Sequence, residues 1–232
     1  MTGPGLALFD TAIGRCGIAW SERGVVRVQL PEADEAHTWA RLARLCPGTP
    51  PAEPPPEVRH AVMAITAHLR GEPSDLSVIT LDMGAVPPFS RLVYETARAI
   101  PPGSTLSYGA VAARLGRSNA ARAVGQALRR NPFAIVVPCH RVLAATGKPD
   151  GFSAHGGVTT KLMLLRIEGL PCPSGQAADT RGRKAPPLRP RGPLDTLDAN
   201  RPLAGVAMGI SETAAKLPVA ARWPGHGAPR GP

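Results

Sequence analysis

The chain has 232 residues, 43% of them hydrophobic, with 27 Lys and Arg against 17 Asp and Glu for a net charge of +10. That is enough for one good-sized domain or two small ones, and no apolar run approaches the roughly eighteen residues of a membrane span. The charge suits a polyanion such as nucleic acid, but nine basic and four acidic residues fall within 171–232, so half of the excess lies outside the first 170 residues.

In chain order, Met1–Gly5 has no basic segment followed by an apolar one, so no secretory signal is expected. Leu6–Asp10 and Arg15–Trp20 read as strands, a turn follows at Ser21–Gly24, and Val25–Leu30 is a third strand. Pro47–Pro56 is a Pro-rich linker. Glu57–Arg70 sets Val58, Val62, Ile65 and Leu69 at helical spacing and ends at Gly71. Leu76–Leu81 is a β-like run. Ser90–Ile100 reads as a helix, stopped by Pro101-Pro102-Gly103. Tyr108–Leu115 is a short helix with Ser107 as its N-cap, Gly116–Ser118 is a turn, and Asn119–Arg130 is a second helix ending before Pro132. Two helices joined by such a turn fit either a helix-turn-helix or an ordinary helical hairpin. Ala134–Val137 reads as a short buried strand, Gly147–Gly157 as a Gly-rich loop, and Thr159–Ile167 as a final amphipathic helix leading to Glu168. Residues 171–232, rich in Pro, Gly, Ala and Arg, read as a disordered tail, with Val206–Leu217 spaced for one helix.

Cys16, Cys46, Cys139 and Cys172 form no C-x-x-C pair, which disfavours a disulfide framework or a zinc knuckle. Reduced thiols in a bacterial cytoplasm are expected, the source resting on 23 Arg against 4 Lys and abundant Ala, Gly and Pro. The chemistry centres on Pro138-Cys139-His140-Arg141-Val142. A cysteine attacks as its thiolate, only a few per cent of a free thiol at about pH 7. A histidine and a carboxylate can draw the proton away, and His140 and Glu168 supply both. In an extended segment, however, adjacent side chains face opposite ways, so His140 would need a bend or a bridging water. A buried structural cysteine beside a chance histidine is the competing reading.

The stretch Asn131-Pro132-Phe133-Ala134-Ile135-Val136-Val137-Pro138-Cys139-His140-Arg141-Val142 resembles the active-site signature of the O6-alkylguanine-DNA alkyltransferases. Ile100-Pro101-Pro102-Gly103, Ser107-Tyr108-Gly109, Ala120-Ala121-Arg122-Ala123-Val124-Gly125 and Leu164-Leu165-Arg166-Ile167-Glu168-Gly169 resemble the same family in the same order. The match covers about residues 88–170. It implies an α+β protein with three parts: a ribonuclease-H-like α/β domain over 1–84, a winged-helix-like catalytic and DNA-binding domain over 85–171, and the tail from 172.

The resemblance also implies roles. Cys139 would accept the alkyl group from guanine O6 once per molecule, without a cofactor. His140 would take the thiol proton through a water, Glu168 would orient His140, and Tyr108 would protonate the leaving guanine. Asn131 would tie the helix-turn-helix to the active-site loop. Arg122 would fill the space of the extruded base, which must leave the stack to be reached. Ala120, Ala121 and Gly125 would allow a close approach to the minor groove of double-stranded DNA without reading its sequence. Arg129 and Arg141 are phosphate or structural contacts. Val142, Phe152 and Ser153 would line the base pocket, with Phe152 where many relatives have Tyr. No metal is expected, since no ligand set falls on Cys16, Cys46, His37 or His60, and the protein is expected to be a monomer. A non-catalytic sensor of alkylated DNA, a cysteine hydrolase and a transcriptional regulator are the alternatives. Cys139, the Arg122 helix and the poverty of base-reading side chains respectively argue against them.

Overall fold

The computed structural model describes residues 3–170, apart from 148 and 150. The expected tail, with its helix at Val206–Leu217, lies outside them. The described residues fall in one compact unit and combine an antiparallel sheet with helices.

Three strands form a meander, β1 (Gly5–Thr11), β2 (Gly14–Ser21) and β3 (Gly24–Gln29). The second hairpin requires glycine at 24. Gly24 has φ +135°, and a Cβ there would meet the Thr80 carbonyl oxygen at 2.6 Å. Alternation gives the sheet two apolar faces. Leu6 and Ala19 meet Leu42 of helix α1 (Glu35–Leu45) on one side. Phe9, Cys16, Ile18, Trp20, Val25 and Val28 enter the main core on the other, with Val58, Ala61, Ile65 and Leu69 of α2 (Pro56–Leu69). The Pro-rich segment before α2 is no free linker, because it runs beside β1 with Leu6 donating to Pro50 and accepting from Ala52.

The main core continues without a break into α3 (Pro88–Arg98), α4 (Tyr108–Arg114), α5 (Ala121–Arg129) and α6 (Val158–Ile167). Two short strands, β4 (Leu106–Ser107) and β5 (Val142–Leu143), pair in parallel. Ser107 caps α4 by accepting from the Ala110 amide at 3.0 Å. Gly116, at φ +68°, ends that helix, a conformation glycine adopts freely. A 3-10 turn at Ser118–Ala120 precedes α5, so the helix expected from Asn119 begins at Ala121.

Two expected strands differ, and one helix has no counterpart among the expected elements. Leu76–Val78 is a 3-10 turn capped by Asp75, not the start of a strand. Only its continuation is strand-like, where Leu81 bridges Val25. Ala134–Val137 is buried but folds back on itself, with Val136 donating to Ala134 and Ile135 at φ +70°. Residues 35–45, left unassigned by the sequence reading, form α1, whose Asp34 cap accepts from His37 N.

The loop after α5 is fastened from three directions. Val28 of β3 donates to Pro132 O at 2.8 Å. Phe133 is fully buried and meets Tyr94 edge-on, centroids 6.2 Å apart, an arrangement worth about 1 kcal/mol beyond area burial. Tyr94 in turn donates to Ala127 O of α5 at 3.0 Å.

Candidate functional site

Cys139 does not lie in an extended segment. Cys139–Arg141 is a single 3-10 turn following Pro138, with the thiol toward a cavity and the His140 imidazole buried. Asn131, just past α5, builds the approach. Its Nδ2 donates to Val137 O at 2.9 Å and its Oδ1 accepts from Phe133 N at 2.9 Å. The end of the helix and the folded-back segment leading to the cysteine are thereby held together by one side chain.

Behind the turn lies a buried charge cluster. The Glu168 side chain, at the C-cap of α6, is 1% exposed. Its Oε1 lies 2.8 Å from His140 Nε2, 3.0 Å from His68 Nε2 and 2.7 Å from Arg141 Nη2, and its Oε2 accepts from Arg141 Nε at 2.9 Å. Arg141 also donates to Ile100 O. Burial alone would favour the neutral acid. The hydrogen bonds from His140, His68 and Arg141 outweigh it and hold the carboxyl well below the usual range. An ionised carboxylate only accepts, so both histidines must donate from Nε2. His140 Nδ1 is then left as the acceptor nitrogen, and it is buried without a hydrogen-bond partner among the described residues. Burial, the largest influence, pushes the His140 imidazole below its ordinary value, though Glu168 pulls the other way.

In front of the turn, Cys139 is partly exposed to a cavity of about 660 Å³. Its walls include Tyr108 and Gly109 of α4, Ala121, Arg122, Gly125 and Arg129 of α5, and Phe152 and Ser153 of the Gly-rich loop. Gly125 faces the Tyr108 ring, where a Cβ would sit 3.8 Å away. Burial pushes the Cys139 thiol up, while the Asn131 side chain, the charge of Lys161 and the backbone N–H groups of 139 and 140 draw it back down. Lys161 is fully buried on α6, donates to Val142 O at 2.7 Å and lies 5.9 Å from the Tyr108 ring centroid.

The structure thus brings Cys139, Tyr108, Ala121, Arg122, Gly125, Arg129, Phe152 and Ser153 around one cavity, with His140 and Glu168 behind the thiol. Ala120 lies just before α5 and is not part of the wall. Two expectations are corrected. Val142 is fully buried in the core and does not line the cavity. Of the two roles open to Arg141, its burial and its bonds to Glu168 leave only the structural one.

Residues 108–130 hold five arginines and no acid, and of these Arg114, Arg117, Arg122, Arg129 and Arg130 are all exposed. Two of them, Arg122 and Arg129, line the cavity, which suits it to a polyanion. Two site residues escaped the sequence reading, His68 and Lys161. Both occupy buried helical stripes, Val58-Ala61-Ile65-His68 and Lys161-Leu164-Leu165-Glu168, and that spacing was the available signal. No group of three or more His, Cys, Asp and Glu among the described residues is arranged for a metal ion. Around Glu168, the guanidinium of Arg141 occupies the place of a cation.

A family model described as 6-O-methylguanine DNA methyltransferase, DNA binding domain, matches residues 88–170. The methylated-DNA–protein-cysteine methyltransferase of Mycobacterium leprae is 44% identical over 160 residues, covering 69% of this chain and 89% of its own. That of Methanothermobacter thermautotrophicus is 34% identical over 154 residues, covering 66% and 79%. The crystal structure of Mycobacterium tuberculosis OGT in complex with DNA aligns with a TM-score of 0.55 at 33% identity, over 70% of this chain and 91% of that one.

Proposed function

The chain belongs to the methylated-DNA–protein-cysteine methyltransferase family, and from that premise we propose that Cys139 is the cysteine it alkylates. The protein binds DNA and repairs it directly, moving an alkyl group from a damaged base to itself. The observation that carries the assignment is the position of Cys139, open to a cavity in front and backed by His140 and Glu168.

In the proposed reaction, the thiol proton passes through a water to His140 Nδ1. The sulfur attacks the alkyl carbon, the S–C bond forms and the C–O6 bond breaks. Tyr108 gives a proton to the departing guanine and regains one from solvent. The thioether product is not hydrolysed, so each molecule acts once. Lys161, 5.9 Å from the Tyr108 ring centroid, draws the Cys139 thiol toward its anionic form.

The substrate is double-stranded DNA entered from the minor groove. The small residues Ala120, Ala121 and Gly125 support a close approach of α5 and the turn before it without base readout, and the exposed Arg129 supports binding through phosphates. Arg122, on the cavity wall, fills the gap left by the flipped base. Residues 1–84 act as a ribonuclease-H-like domain and 85–171 as a winged-helix-like catalytic domain. The protein works as a monomer in a bacterial cytoplasm.

The test is an intact-mass measurement after incubation with a duplex containing O6-methylguanine. The expected result is a gain of a single methyl, mapped to Cys139, at most once per molecule. No gain, or a gain elsewhere, overturns the assignment.

A further inference from the structure

His68 lies on the buried face of α2 with Val58, Ala61, Ile65 and Leu69. A histidine among such neighbours is costly to bury unless its polar atoms are met. Its side chain is 6% exposed, and Nε2 lies 3.0 Å from Glu168 Oε1, the oxygen that also holds His140. The two partners are 100 positions apart in the chain.

The arrangement has a mechanical meaning. His140 and Arg141 belong to one three-residue turn. A carboxylate held by these two alone would follow any movement of that turn. His68 ties the same oxygen to a second, independent element rooted in the main core. We propose that His68 is a positioning residue for alkyl transfer, fixing Glu168 Oε1 so that His140 keeps its Nε2–H tautomer and presents Nδ1 as the proton acceptor. This rests on the His140–Glu168 reading given above. Partners that orient a catalytic histidine through its second nitrogen govern tautomer and basicity in the same way.

His68 also lines a second cavity of about 260 Å³, away from the thiol, whose walls include Asp75, Arg98 and Arg141. Glu168, held by His68 Nε2, and His140, on the same carboxylate oxygen, are the titratable groups nearest the His68 ring in that cluster. The cavity makes a chemical test practical, because removal of the imidazole leaves a hole continuous with space a small molecule can enter.

The experiment uses the full chain and single-turnover transfer from an O6-methylguanine duplex at saturating protein. His68→Ala slows transfer about tenfold and leaves DNA affinity within about twofold, since α2 carries none of the proposed DNA contacts. At alkaline pH, where both additives are neutral, imidazole restores the rate. 1-Methylimidazole, with nearly the same shape but no N–H, does not. Wild-type speed in His68→Ala, or equal restoration by both compounds, overturns the proposal. If His68→Ala fails to fold, His68→Gln and His68→Met replace it. They are similar in length, only Gln can donate, and equal rates overturn the proposal. Glu168→Gln runs in parallel. If it is slow while His68→Ala is not, His68 alone fails; if it too matches wild type, the His140–Glu168 reading fails with it.

Discussion

The sheet and the loop fastened to its edge each carry a cysteine in apolar surroundings. Cys16 lies in β2 with no exposed surface, and burial pushes its thiol up to about 12. Among the described residues, its side-chain polar contact is Thr11 Oγ1 at 3.7 Å. Cys139 is also raised by burial, but there Asn131, Lys161 and two backbone N–H groups oppose it. The difference follows from backbone geometry. A strand commits its N–H groups to the ladder, as Cys16 does opposite Phe9, whereas in the 3-10 turn the N–H groups of 139 and 140 act on the sulfur itself, although that of 139 also donates to Val137 O at 2.8 Å. A cysteine made reactive needs irregular backbone around it, and that irregularity needs anchoring such as Asn131, Phe133 and Pro132 provide.

The contrast is easiest to break at the sulfur itself. Cys139→Ala should abolish the methyl mass gain, whereas Cys16→Ala should retain it in full; methyl on Cys16 in either variant would end the distinction. Next in size is Glu168→Gln, for which transfer should slow about 100-fold through loss of the tautomer lock, with DNA affinity nearly unchanged. Gln is the informative choice, because its carbonyl oxygen still accepts a hydrogen bond in the cluster, whereas an apolar replacement would leave each buried donor unmet at a cost of about 1–3 kcal/mol. Arg122→Ala should slow repair of duplex DNA about tenfold and reaction with the free modified base far less, since only the duplex requires extrusion. Equal losses on both substrates would refute the extrusion role.

The pH profile is a subtler probe. The His140 pKa is lowered, so the ring loses its proton earlier on the way up from acid than an ordinary histidine does. The neutral acceptor therefore persists below about pH 6.5, and the acid limb of the transfer rate should fall below that value. A limb at or above it would mean that the thiol reacts by another route. Smallest of all, iodoacetamide should leave Cys16 unmodified near neutral pH, its thiol being held in the protonated form.

Much of this was legible in advance, and the parts that were not share a cause. Apolar runs between turns located the strands of the meander, and apolar positions at helical spacing located the α-helices after residue 56 among the described residues. Residues 35–45 were passed over although Thr38 and Leu42 repeat at helical spacing behind Asp34. Ala134–Val137 was misread because a buried apolar run looks the same whether it extends or reverses, and only the left-handed Ile135 decides it. Cys139, His140 and Glu168 stood out through their chemical types and motif context. His68 and Lys161 did not, since a polar residue on an apolar helical stripe acquires meaning only when its distant partner is known. The role of Arg141 turned on burial, which its own letter does not disclose.

The cluster around Glu168 also has a history in time. A ribosome delivers His68 first, then Cys139, and Glu168 after 29 more residues, a delay of roughly 1.5 to 6 seconds at ordinary synthesis rates. During that interval the cysteine already exists but the carboxylate that orients its histidine does not. The nascent chain therefore holds a thiol without the His140–Glu168 pair behind it, and the full cluster forms only once residues 100 positions apart have closed on each other.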